Sequence, residues 1–171
     1  MHFVAQVSFI LVRVWRAVMV RLRYLYYKLA LAGLGKGSSI TSHVFIDHGY
    51  NVYIGSNTNV NQNVLIQASP DAKIVIGDAV HISFGAMLIT ASLNLENVEY
   101  AQGHKANGVT VGDNVWIAAG AVILPGVKIG ENSIVGAGAV VNHDVEPNTI
   151  AVGIPAKAIC KLGLDSKLRR K

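Results

Sequence analysis

The sequence predicts a parallel β-helix, a three-sided solenoid, from three observations. An aliphatic residue recurs at every sixth position through Val111, Ile117, Ile123, Ile129, Val135 and Val141. The same beat occurs earlier, as Ile54, Val60, Ile66 and as Ile76, Ile82, Leu88. The next residue in most hexads is small or polar (Gly112, Ala118, Gly130, Gly136, Asn142), and 17 glycines suit a chain that turns every few residues. A period of six fits neither a helix, near 3.6, nor an amphipathic strand, near 2. Three short flat faces, each burying one aliphatic residue and turning on a small one, produce it.

Residues 1–36 precede this pattern and differ in kind. Phe3, Val7, Ile10, Leu11, Val14, Val18, Leu22 and Leu25 recur at three- and four-residue steps, which predicts an amphipathic α-helix. The segment carries six basic residues, no acid, and the aromatic residues Trp15, Tyr24, Tyr26 and Tyr27. Its longest uncharged run, Met1–Val12, falls short of the roughly 20 residues that span a membrane. No basic residue precedes that run, so it is a poor match to a signal peptide. Two readings stay open: a helix packed on the solenoid or a neighbouring subunit, and a helix lying through residues 1–34 on an anionic membrane surface. The glycine-rich stretch Gly33–Ser39 lacks the spacing of a phosphate loop and reads as a helix stop.

Residues 37–162 are expected to form the solenoid, followed by a basic tail, 163–171. The hexad count slips in three places. Ile46 to Ile54 is two residues too long and Ile66 to Ile76 four too long, while Leu88 to Val111 covers about one coil's length plus five residues with no clean repeat. Residues 90–108 are therefore expected to leave the coil as a loop, holding Ser92, Asn94, Glu96, Glu99 and His104. An excursion of that length from a regular repeat reads as functional. With five lysines against nine acids, residues 37–162 are mildly acidic, which argues against nucleic-acid binding. A lone cysteine, Cys160, excludes an intramolecular disulfide and a cysteine-based zinc cluster, in keeping with a reducing cytoplasm.

Four stretches carry a more specific signal: Asp47–Gly55, Asn59–Asn63, Val111–Gly126 around Trp116, and Gly136–Val145 continuing to Gly153-Ile-Pro-Ala-Lys157. Over residues 38–162 they resemble the hexapeptide-repeat O-acetyltransferases of the maltose, galactoside, nodulation-factor and surface-polysaccharide branch. The resemblance implies a left-handed parallel β-helix, a homotrimer with sites between adjacent solenoids, acetyl-CoA as co-substrate, and a carbohydrate hydroxyl as acceptor. It implies that Asn61 lies near the reacting acetyl group and that Trp116 lines the acyl-CoA slot. Ala119 and Ala137 would meet the pantetheine, while Asn142 and Lys157 would lie towards the nucleotide. Asp47 and Ser69 fall at acceptor-contacting positions, with Asn94 of the loop a further acceptor candidate.

In that family a histidine takes the proton of the acceptor hydroxyl, a task for which imidazole is suited near neutral pH. Here Leu93 stands at its position. The candidates to replace it are His104 first, in the same loop, then His81, at the end of a hexad, and third His48, beside Asp47. Two other readings on this fold remain. One is a non-catalytic, membrane-attached trimeric scaffold. The other is a zinc enzyme like the gamma-class carbonic anhydrases, which lacks its closely spaced histidine pair here; no metal is expected. The chain is placed in the cytoplasm, peripheral on the inner face of the cell membrane if the helix binds lipid.

Overall fold

The computed structural model describes residues 15, 18–93 and 104–163, with Leu93 and His104 defined by backbone position alone. Residues 18–30 are helical, and the chain then winds into five coils of parallel β-structure. Coil 1 comprises Gly33–Leu34, Ser39–Ile40 and Phe45–Asp47, and coil 2 Val52–Ile54, Asn59–Val60 and Leu65–Gln67. Coil 3 comprises Ile74–Ile76, His81–Ile82 and Met87–Ile89, and coil 4 Val109–Val111, Trp116–Ile117 and Val122–Ile123. Coil 5 holds Lys128–Ile129, Ile134–Val135 and Val140–Val141. Corresponding strands stack into three sheets, here the first, second and third faces of a prism. Coil ends are covered by Thr149–Val152, which extends the second face, and by Lys157–Lys161, which pairs antiparallel with it.

The hexad residues form the core. Val60, Ile82, Ile117 and Val135 stack in register inside the second face, and Ile66, Leu88, Ile123 and Val141 inside the third, all 0–1% exposed. Parallel ladders hold coils about 4.8 Å apart, so each aliphatic side chain meets its equivalents above and below. Between the first and second faces the coils approach so closely that a Cβ on Gly77 would collide with the backbone of Gly112 and Asp113. Left-handed corner residues complete this 1/2 edge with Asn57, Asn114 and Asn132, a conformation that asparagine adopts more readily than most side chains. Buried hydroxyls bind the next coil: Thr58 Oγ1 donates to Gly77 O at 2.8 Å and Ser133 Oγ to Glu146 O at 3.0 Å.

Two boundaries differ from those read in the sequence. The solenoid begins at Gly33, not at residue 37, because Gly33–Leu34 pairs with Tyr53–Ile54. The glycines that resemble a helix stop are where this first strand passes close to coil 2: a Cβ on Gly35 would collide with the backbone of Gly55 and Ser56. The excursion at 90–108 also contains strands, Ala91–Leu93 and His104–Ala106, paired antiparallel. Asn94, Glu96 and Glu99 lie outside the described residues, as do residues 1–14 and 164–171.

The helix rests on the solenoid through Tyr27, next to buried Leu31. Ala32 N–H donates to Gly49 O at 2.9 Å, tying the helix end to the turn that follows coil 1. Val18, Leu22, Leu25, Tyr26 and Leu29 remain exposed. Among the described residues no helix is long and apolar enough to cross a membrane.

Candidate active site

The three slips in the hexad count fall at one place in the prism. Asp47–Asn51, Gln67–Lys73 and the hairpin after Thr90 all connect the third face to the next first face, so they stack along the 3/1 edge of coils 1–3. The interruptions are thus a built lobe beside an otherwise regular solenoid.

In its lowest tier, His48 adopts left-handed backbone angles (φ 48°, ψ 49°) and opens a short 3-10 turn, Gly49–Asn51. Asp47 Oδ1 accepts from His48 N–H at 2.9 Å and lies 3.0 Å from His48 Nδ1. That ring nitrogen is also 3.1 Å from Ala68 O of the next coil. Asn51 Nδ2 donates to Ser69 O and Pro70 O, each at 2.8 Å, joining the first tier to the second. Buried Ser69 and Thr90 hydroxyls share a 2.7 Å hydrogen bond, joining the second tier to the base of the hairpin. Asp47 and Ser69, predicted as acceptor residues, therefore lie on one edge, and Thr90 joins them.

The 2/3 edge carries a different set. Asn61, Ala119 and Ala137 occupy equivalent corners of coils 2, 4 and 5, all exposed. Trp116 stands beside them, 50% exposed, its Nε1–H donating to Ser83 Oγ at 2.9 Å. Among the described residues no backbone–backbone bond uses the N–H of Ala119 or Ala137, whereas Gly120 and Gly138 N–H reach back to Phe84 O and Ala119 O. This edge thus leaves two N–H groups on successive coils without a backbone partner, a fit for the amides of an extended ligand. Lys157 begins the final strand just beyond the Gly153–Ala156 turn that ends the same edge.

Other predicted residues fall elsewhere. His81 projects from the second face next to Trp116 in register, with Nδ1 3.4 Å from Asn59 Nδ2. Asn142 lies on the 3/1 edge of coil 5 and pairs with His143 Nδ1 at 2.9 Å, away from Ala119 and Ala137. His104 occupies the backbone position directly opposite Leu93 in the hairpin. One face, about 15 Å at strand rise, separates the two edges. The acceptor-like and coenzyme-like sets are therefore not brought together within one chain. Sequence reasoning gave little weight to His48 and missed Asn51 and Thr90; the signal that points to them is the common edge of the three count slips.

Comparison with known proteins places the fold in a family. Residues 108–143 match the family described as bacterial transferase hexapeptide (six repeats). Nodulation protein L of Rhizobium meliloti is 40% identical over 136 residues, covering 78% of this chain and 73% of the relative. Galactoside O-acetyltransferase of Escherichia coli is 36% identical over 138 residues, covering 77% and 64%. A hexapeptide-repeat acetyltransferase from Vibrio cholerae, solved with acetyl coenzyme A, superposes with a TM-score of 0.77 at 33% identity, covering 83% of this chain and 77% of that one. The chain spans between 56% and 73% of the length of the curated relatives it matches. With the solenoid, the matching repeats and relatives of this closeness in agreement, the chain belongs to the hexapeptide-repeat acetyltransferase family.

Proposed function

We propose that the protein transfers acetyl from acetyl-CoA to a hydroxyl of a carbohydrate, at sites formed between copies of the chain. The observation that carries this reading is the 2/3 edge, where exposed Trp116 stands beside the Ala119 and Ala137 N–H groups, which no backbone carbonyl takes up among the described residues. A pantetheine arm presents amides in such a row, and an aromatic wall suits the acyl thioester. Asn61 and neighbouring N–H groups would hold the oxyanion of the tetrahedral intermediate, and Lys157 would face the phosphates as a point charge. The galactoside enzyme among the relatives supports a sugar as acceptor.

The separation of the two edges supports a homotrimer in which one copy's 3/1 edge meets its neighbour's 2/3 edge. The outward residues of the third face form an apolar column, Phe45, Leu65, Met87, Val122 and Val140, suited to such contact. Calorimetric titration of coenzyme A into the full chain tests the reading. Micromolar binding is expected, weakened about tenfold in Lys157→Ala by loss of one phosphate contact of roughly 1.4 kcal/mol. A folded protein that binds no coenzyme A would instead be a scaffold.

Acetyl-CoA as donor supports a reaction in the cytoplasm. The exposed helix residues Val18, Leu22, Leu25 and Leu29, with Arg21 and Lys28 alongside and no acid before Asp47, support attachment to an anionic membrane surface. Flotation with phosphatidylserine vesicles should recover the native chain and lose Leu25→Glu. Equal recovery of the two, or binding to neutral vesicles alone, rejects attachment to an anionic surface through this helix.

A further inference from the structure

We propose that His48, oriented by Asp47, is the general base of this chain, taking over the task left by Leu93; the inference rests on the acyl-transfer reading above. The side-chain geometry fixes the tautomer. His48 Nδ1 lies 3.1 Å from Ala68 O and 3.0 Å from Asp47 Oδ1, and both of these atoms are acceptors. Nδ1 therefore carries a hydrogen, which leaves the lone pair of the neutral ring on Nε2. That is the arrangement a general base needs: a carboxylate and a carbonyl behind the ring, and the basic nitrogen on the other side.

The ring is held by more than its hydrogen bonds. Tyr50 packs edge-on against it, ring centroids 5.7 Å apart and planes at 78°. Its left-handed backbone is secured by Asn51 N–H donating to His48 O at 2.8 Å. The next residue, Gly49, is pinned between the helix end and the turn: its carbonyl accepts from Ala32, and a Cβ there would collide with Ala30 O. A non-glycine residue at positive φ is costly enough that its surroundings must enforce it, and here they do. The side chain is nonetheless 32% exposed, so a ligand can reach it.

Position supports the same role. His48 sits on the 3/1 edge, in the lobe that also holds Ser69, Thr90 and the hairpin bearing Leu93. A leucine there has no atom that accepts a proton, and the lobe supplies an imidazole from another tier. In the step itself, His48 Nε2 takes the proton of the acceptor hydroxyl as its oxygen bonds the thioester carbon. The carbon–sulfur bond then breaks, and the imidazolium returns the proton to the departing thiolate of coenzyme A. Acceptor and donor leave as acetyl ester and free thiol, with no other reactant consumed.

The test measures thiol release from acetyl-CoA by the full chain, with methyl β-galactopyranoside, maltose or water as acceptor, alongside coenzyme A binding. His48→Gln should lower kcat about 100-fold or more, the range for loss of a general base, with coenzyme A affinity within twofold of native. Asp47→Asn should lower kcat as well, while ¹⁵N spectra should keep the Nδ1-protonated signal that Ala68 O holds and that disappears with His48→Gln. His104→Gln should stay within threefold of native. Near-native turnover by His48→Gln, or transfer of the loss to His104→Gln, overturns the assignment while leaving acyl transfer intact. A native chain that neither binds coenzyme A nor releases thiol overturns acyl transfer itself.

Discussion

Replacing Ile82 with alanine is expected to destabilise the fold by about 3 kcal/mol, within the 2–5 kcal/mol range for a fully buried Ile or Leu truncation. Ile82 is wholly buried at the middle of the second face, in register with Val60 below and Ile117 above. Neighbours cannot close on the vacated space, since parallel ladders on all three faces fix the coil spacing. The cost is therefore expected to retain both the transfer and the cavity contributions. Because each coil touches only its neighbours, the damage should also weaken the link between coils 2 and 4. Urea titration should show a lower midpoint and a broader transition, with Trp116 fluorescence in coil 4 departing from the circular dichroism signal. Val75→Ala, outward on the first face and 40% exposed, should change the midpoint little.

Trp116→Ala is expected to raise the dissociation constant for coenzyme A about 30-fold while leaving the fold intact, as truncation of a central aromatic contact costs about 2 kcal/mol. Trp116 is half exposed, so folding does not depend on burying it, and its hydrogen bond to Ser83 Oγ fixes the indole in one orientation. A ligand meeting a side chain already held in place loses little further freedom on binding. Trp116→Phe should recover part of the affinity, keeping an aromatic wall but not the Ser83 anchor. Calorimetry on both variants checks this; an unchanged constant in Trp116→Ala would remove the tryptophan from the coenzyme edge.

The fold was legible because a six-residue beat has one economical solution, and the inward residues Val60, Ile82, Ile117 and Val135 follow it without exception. The start at Gly33 was hidden because a glycine-rich stretch reads as a stop until a second coil is seen pressed against it. In the helix, spacing showed a stripe but not its side: Tyr27 packs on the solenoid while Leu22, Leu25 and Leu29 face outward. The places of Trp116, Ala119 and Asn61 along the second face and its edge were legible, since they occupy repeat positions of the solenoid. His48 was not, because the contact that sets its tautomer comes from Ala68, twenty residues further along the chain. Local sequence records which residue can act as a base, but not which ring nitrogen is free.

The stacking of every extra-length connection along one edge has an evolutionary meaning. Within a face, adding or removing a single residue exchanges inward and outward side chains through the rest of that strand, and the core rejects it. At the 3/1 edge the chain can lengthen by two residues, by four, or by a whole hairpin, and the next strand still enters the prism in phase. Descendants of such a chain can therefore diversify the surface that meets an acceptor by changes in length alone. The opposite edge, built from Ala119 and Ala137 in uninterrupted hexads, inherits its spacing unchanged.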